Sequence, residues 1–158
     1  MNKKYLFIPV LFLGLTLSAW AVNERVIANY FPLVLEIEGF SLQSGRVISD
    51  NEASNGKAVL SEGLNFSAKI SVAFNEAGQY QLALYEKTTD GSKDSIHIKV
   101  NNSPDVRTYP DAKAYGAYAP CIKRVPFNLT EPGDVTITLF TTNEYGSYYD
   151  KVIIDSIK

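Results

Sequence analysis

The stretch "FSAKISVAFNEAGQYQLALYEK", Phe66 to Lys87, decides the fold. Its first half alternates strictly. Phe66, Ala68, Ile70, Val72 and Phe74 fall on one side of an extended chain, and Ser67, Lys69 and Ser71 on the other. That period of two is what a half-buried β-strand requires. "NEAGQ" supplies turn chemistry, and "QYQLAL" resumes the pattern with Tyr80, Leu82 and Leu84 inward. The same period recurs outward along the chain. "SIHIKV" turns Ile96, Ile98 and Val100 inward, with His97 and Lys99 outward, and "VTITLF" places Val135, Ile137 and Leu139 between threonines. "KVIIDSIK" closes the chain, and "TTDGSKD", "NNSPD" and "TEPGD" punctuate the runs. No stretch has helical spacing. Many short alternating strands at this spacing predict an all-β protein, an antiparallel β-sandwich or jelly roll.

The first residues do not fit this pattern. Lys3 and Lys4 precede the apolar run "YLFIPVLFLGLTL", and "SAWA" ends in small residues at Ala19 and Ala21. This is the pattern of a bacterial-type secretory signal peptide cleaved after Ala21, which places the product outside the cytoplasm, secreted or periplasmic. No second apolar run follows, so no membrane span is expected after cleavage. Residues 1–21 are then the leader and residues 22–158 one domain. That domain has 13 basic and 17 acidic residues and no basic stripe, which argues against nucleic acid as a partner. A single cysteine, Cys121, excludes an internal disulfide. A bound ion is another way to tie such a domain together.

"LVLEIEGF", residues 33–40, also looks like a strand, yet it carries Glu36 and Glu38 two residues apart. On one strand these acids share a side about 7 Å apart and repel. Either that face is open water or something positive sits over it. In "VIIDSI", Asp155 alternates with Ile153 and Ile157, which predicts an inward carboxylate needing a partner or a metal. Three carboxylates with carbonyl oxygens would make a hard oxygen cage suited to Ca²⁺, whereas one Cys and one His disfavour zinc. The alternative leaves Glu36 and Glu38 in water and pairs Asp155 with Lys57 or Arg46.

Two connections are richer than turns need to be. "TYPDAKAYGAYAP" holds Tyr109, Tyr115 and Tyr118, and "TTNEYGSYYD" holds Tyr145, Tyr148 and Tyr149. Tyrosine rings are apolar on the face and polar at the tip, which suits the mixed surface of a sugar ring. At least two of the six are expected to fold back and cap the sandwich.

The order "LEIEGFS", "VISDNEASNGKAVL", "FSAKISVAFNEAGQYQLALYEK", "IHIKVNN" and "IIDSI" resembles the carbohydrate-binding modules of the family 6 and family 35 type. These are galactose-binding-like β-sandwiches. The resemblance covers about residues 35–158, nearly all of the domain, and is weakest at 108–126. It implies a structural calcium ion held by Glu36, Glu38, oxygens near Ala53 and Gly56, and Asp155. It also implies binding of a polysaccharide or oligosaccharide through the tyrosine loops, with Tyr115, Tyr118, Asn143, Tyr145, Tyr148 and Tyr149 as candidates. A family-6-like cleft is poorly matched, since its asparagine falls on Ile153 and one ring position on Leu60 or Ser61. Modules of this type accompany glycan-degrading enzymes, so association with one is expected.

Two other functions compete. A β-jelly-roll polysaccharide lyase would draw on Tyr118, Lys123, Arg124 and His97, while Glu36 with Glu38 makes a poor glycosidase pair. A protein-binding envelope or inhibitor module would use the tyrosine loops equally well. No constellation has convincing catalytic spacing, and a non-catalytic binding protein is the expectation.

Overall fold

The computed structural model describes residues 26–157, so the leader and its cleavage site lie outside the described residues. In chain order the strands are β1 (Val26–Ala28), β2 (Leu33–Glu36), β3 (Ser41–Gln43), β4 (Gly45–Ser49), β5 (Lys57–Ser61), β6 (Ser67–Phe74), β7 (Gly78–Lys87), β8 (Ile96–Val100), β9 (Val106–Thr108), β10 (Ala119–Pro120), β11 (Val125–Leu129), β12 (Gly133–Phe140) and β13 (Tyr148–Ile157). One sheet runs β1-β6-β12-β8-β9, with β3 also on β6. The other runs β10-β7-β13-β5-β4, with β11 on β7 and β2 on β13. Every pairing is antiparallel except β1 with β6. The fold is the expected antiparallel β-sandwich. Among the described residues no helix is long and apolar enough to cross a membrane.

The alternation that predicts β6 and β7 holds, but the two strands lie in different sheets. The turn at residues 75–77 carries the chain across the sandwich. Aromatic rings close that end: Phe74 meets Tyr80 edge-on at 4.9 Å, and Tyr80 stacks on Phe127 at 5.4 Å. Between the sheets, Val72, Leu82, Leu84, Ile96, Ile98, Val135, Ile137, Leu139, Val152 and Ile154 are fully or almost fully buried. Removing such side chains from water is the main favourable term in folding a disulfide-free domain.

Two sequence expectations need correction. "LVLEIEGF" is not one strand. Hydrogen bonding of β2 to β13 ends at Glu36, and Ile37–Gly39 turns in a short 3-10 helix closed by Phe40 N–H donating to the Ile37 carbonyl at 3.0 Å. This turn drives Ile37 into the core, so Glu36 ends a strand while Glu38 projects from a turn. The second correction is the facing of β13. Tyr149 opposes Glu86 and Val152 opposes Leu84, so two residues, Asp150 and Lys151, face one on β7. This β-bulge resets the alternation. Beyond it Val152 and Ile154 are inward, and Asp155 is half-exposed on the other side.

Candidate functional site

The chain brings two groups of polar residues together on the second sheet. The first gathers around the turn between β4 and β5. Asp50 N–H donates to the Gly56 carbonyl at 3.0 Å, and Gly56 N–H to the Ala53 carbonyl at 3.1 Å. Gly56 has φ +68°, a conformation that disfavours any side chain there. The turn presents Ser54 and Asn55 to the acids. The Ser54 hydroxyl lies 2.9 Å from both Glu36 Oε2 and Asp150 Oδ1, and Ser54 N–H also donates to Asp150 at 2.9 Å. Asn55 Nδ2 donates to Glu38 Oε1 at 2.9 Å.

Glu36, Glu38 and Asp150 thus converge on one turn. The β13 acid that meets them is Asp150, not Asp155. Glu36 stands opposite Lys151, and Asp155 lies four residues further along the strand, about 13 Å away at the rise of an extended chain. The bulge explains the difference, because it turns Asp150 toward β2 and buries it to 2 % exposure. Ala53 is buried, and its carbonyl and that of Gly56 serve the turn itself.

Two observations fit these residues to a hard cation. Glu38 Oε2 is buried with no hydrogen-bond partner, which is costly for a carboxylate oxygen. The Ser54 hydroxyl has one proton, yet it sits at hydrogen-bond distance from two carboxylates. One of those contacts therefore lacks a proton, and the nearby cation is Lys151 Nζ, 3.5 Å from Asp150 Oδ2. The acids are held apart by Ser54 and Asn55. Among the described residues no three His, Cys, Asp or Glu side chains form a ready-made metal cluster.

The second group lies beside the first, on the outer face of the same sheet. Because Glu86 points into the core, Lys87 points out. Lys87 Nζ stands 4.6 Å from the centre of the Tyr118 ring and 5.2 Å from that of Tyr148, within cation–π range. It also bonds Asp50, and Glu52 at 3.2 Å, and Tyr118 donates its hydroxyl to Asp50 at 2.9 Å. Burial pulls the Lys87 ammonium down, but its bonds to Asp50 and Glu52 outweigh this and raise it. The bond from Lys87, chiefly, lowers Asp50. Burial, then the bond to Asp50, pushes the Tyr118 hydroxyl far up, so it remains a donor. Tyr118 and Tyr148 are half-exposed rings flanking an ion pair.

The remaining candidates divide. Tyr115 donates to Asp94 at 2.7 Å, and this bond raises its hydroxyl to about 12. It packs on the 88–95 connection, where a Cβ at Gly91 would stand 2.9 Å from its oxygen. Tyr145 is 49 % exposed and Asn143 is exposed near it in the 141–147 connection. Tyr149 is a core residue, 1 % exposed and stacked on Phe66 at 5.1 Å, and is not available to a ligand. Tyr148 and Tyr149 both belong to β13 rather than to a loop. Lys87, Asp50, Glu52, Ser54, Asn55 and Asp150 are absent from the sequence-based site. Only the outward phase of Lys87 along "QLALYEK" pointed to one of them.

The parts of the lyase alternative do not meet. His97 stacks on Phe140 at 5.1 Å on the outer face of the first sheet, and Tyr118 lies on the second.

No model of a protein family matches the chain, and no curated protein does. Solved structures match it. An exo-β-1,3-galactanase from Phanerochaete chrysosporium, described with β-1,3-galactotriose, shares 26 % identity over 77 % of this chain, with a TM-score of 0.64. The chain spans 29 % of that enzyme's length. A family 35 carbohydrate-binding module from Clostridium thermocellum matches over 78 % of this chain and 98 % of its own, at 23 % identity and TM-score 0.63. The family 35 module from Paenibacillus barcinonensis matches over 79 % and 99 %, at 14 % identity and TM-score 0.65. The match spans almost the whole of those two module chains, whereas it spans only part of the galactanase chain. The chain has the galactose-binding-like β-sandwich of family 35 carbohydrate-binding modules.

Proposed function

We propose that this chain is an exported, non-catalytic carbohydrate-binding protein that takes a neutral glycan on the Tyr118–Lys87–Tyr148 face. The observation that carries this reading is the pair of half-exposed rings flanking Lys87. Ring faces suit the C–H face of a sugar, while Asp50, Glu52 and Lys87 offer acceptors and donors to its hydroxyls. Asp50 and Glu52 together outnumber the Lys87 ammonium that they bond. Such a field repels a uronate, so a neutral sugar is favoured. β-1,3-Linked galactan is the first probe, given the galactanase neighbour. Tyr145 and Asn143, exposed in the 141–147 connection that leads into Tyr148, would offer further contacts to the glycan. Because the fold also occurs inside enzyme chains, a secreted glycan-degrading enzyme is the expected companion.

Glu36, Glu38 and Asp150, with oxygens of the 53–56 turn, are the residues to hold a calcium ion. The ion would neutralise three carboxylates and tie β2, the turn and β13 together.

Affinity electrophoresis through galactan tests the binding reading. Wild-type protein should be retarded, and Tyr118→Ala and Tyr148→Ala, each shown to be folded by circular dichroism, should each lose most of the effect. Equal migration of all three proteins in galactan, mannan and glucan gels would sink it.

A further inference from the structure

We infer a second binding surface, for an anionic saccharide, on the outer face of the opposite sheet. Lys69 on β6 and Lys99 on β8 both stand in register with Thr138 on β12. Ala68, Ile98 and Leu139 beside them are buried, so this row points outward. Two strand spacings separate the lysine backbones, about 10 Å. Between and below them runs a trough of about 620 Å³ lined by Lys69, Lys99, Asn101, Asn102, Thr136 and Thr138. Its floor is preorganised. Thr136 N–H donates to Asn101 Oδ1 at 2.7 Å, the Thr136 hydroxyl lies 3.4 Å from Ser71, and Asn101 holds φ +52°. In the adjoining row His97 stacks on Phe140, giving a flat ring surface beside the cations.

Charge sets the ligand class. The chain is net acidic, yet neither Lys69 nor Lys99 makes an ion pair with an acid among the described residues. The acids of this face lie at its ends. Asp105 is bonded to His97 and close enough for the Lys99 charge to act on it, and Asp134 lies two residues before Thr136 on β12. A ligand placing one or two carboxylates or sulfates between the lysines, with hydroxyls toward Thr136, Thr138 and Asn101, meets complementary groups throughout. A nucleic acid needs an extended basic stripe, and two lysines do not supply one. The two surfaces lie on opposite faces of the sandwich and differ in charge preference, so this one stands independently of the neutral-glycan reading.

Affinity electrophoresis in polygalacturonate, chondroitin sulfate, neutral galactan and duplex DNA tests the assignment. Wild type is compared with Lys69→Gln/Lys99→Gln and with Tyr118→Ala/Tyr148→Ala, after circular dichroism has shown each to be folded. The expected result is retardation by one or both acidic polysaccharides at low salt, reduced about fivefold or more by ~0.2 M salt. The lysine double variant should lose it and the tyrosine double variant should keep it. Which gel retards separates carboxylate from sulfate recognition. The inference is overturned if neither acidic polysaccharide retards the protein, if the lysine variant is retarded equally, or if DNA retards it as strongly. Loss of galactan retardation in the tyrosine variant reports separately on the neutral site.

Discussion

Glu86 offers the sharpest test of the buried chemistry beneath the binding end. It points into the core from β7, is 0 % exposed, and has one carboxylate oxygen without a partner. Its other oxygen lies 3.5 Å from Cys121 Sγ, and Tyr149 stands opposite on β13. Burial chiefly pushes its carboxyl from an ordinary value of 4.5 to about 8, so it is protonated at neutral pH. Between pH 4.5 and 8 the folded protein therefore holds a proton that the unfolded chain has released. Stability from this group is complete below 4.5 and falls by about 1.4 kcal/mol per pH unit up to 8, about 5 kcal/mol in all. Glu86→Gln keeps the shape of the neutral acid and removes the titration. Its second amide N–H has no evident acceptor, a constant cost of about 1–3 kcal/mol that does not change with pH. Urea unfolding followed by circular dichroism at pH 5, 6, 7 and 8 gives the difference between the two proteins. That difference should move by roughly 4 kcal/mol in favour of the variant from pH 5 to pH 8. Other titrating groups are common to both proteins and cancel. Parallel curves across this range would refute the placement of a neutral Glu86 in the core.

Asp50 has the opposite sign: its lowered carboxyl contributes stability above the unfolded value that is lost as pH falls through the folded one, and Asp50→Asn should flatten the acid limb in a thermal melt taken from pH 5 to 2. EDTA should lower the melting temperature of wild type and of Asp155→Asn, and leave that of Asp150→Asn unchanged, since only Asp150 meets Glu36 through Ser54. A response lost in Asp155→Asn instead would restore the sequence-based ligand set. Gly45→Ala should shift the urea midpoint by about 1–3 kcal/mol of stability at constant m, because its Cβ would stand 2.7 Å from the buried Phe66 ring.

The β-bulge between Tyr149 and Val152 determines how much of this could be read in advance. The strands themselves were legible, because a sandwich strand buries every second residue and "FSAKISVAF", "SIHIKV" and "VTITLF" keep that period without a break. "SYYDKVIIDSI" does not keep it. Counting back from its end puts Ile153, Asp155 and Ile157 on one side and predicts that this side is the core. An extra residue in the strand inverts the answer, and apolar residues on both sides of "VII" give no local cue to it. One shift of register thus accounts for the misplaced acid. It assigned the acid near β2 to Asp155 instead of Asp150. Tyr149 was misplaced for another reason: "TTNEYGSYYD" reads as a loop, although the ring belongs to β13 and lies under Phe66. The same shift turns Tyr148 outward beside Lys87 and Tyr118. Lys87 escaped notice for a different reason: its role depends on Asp50, Tyr118 and Tyr148, three residues far apart in the chain that only the closed sheet brings within reach. The bulge is therefore the structural hinge between the two groups. It buries Asp150 toward Glu36 on one side and exposes Tyr148 toward Lys87 on the other. A deletion of Lys151 that restored regular pairing would reverse the facing of the strand on one side of it. Loss of the EDTA response and of galactan binding together in that variant would show that one backbone irregularity builds both.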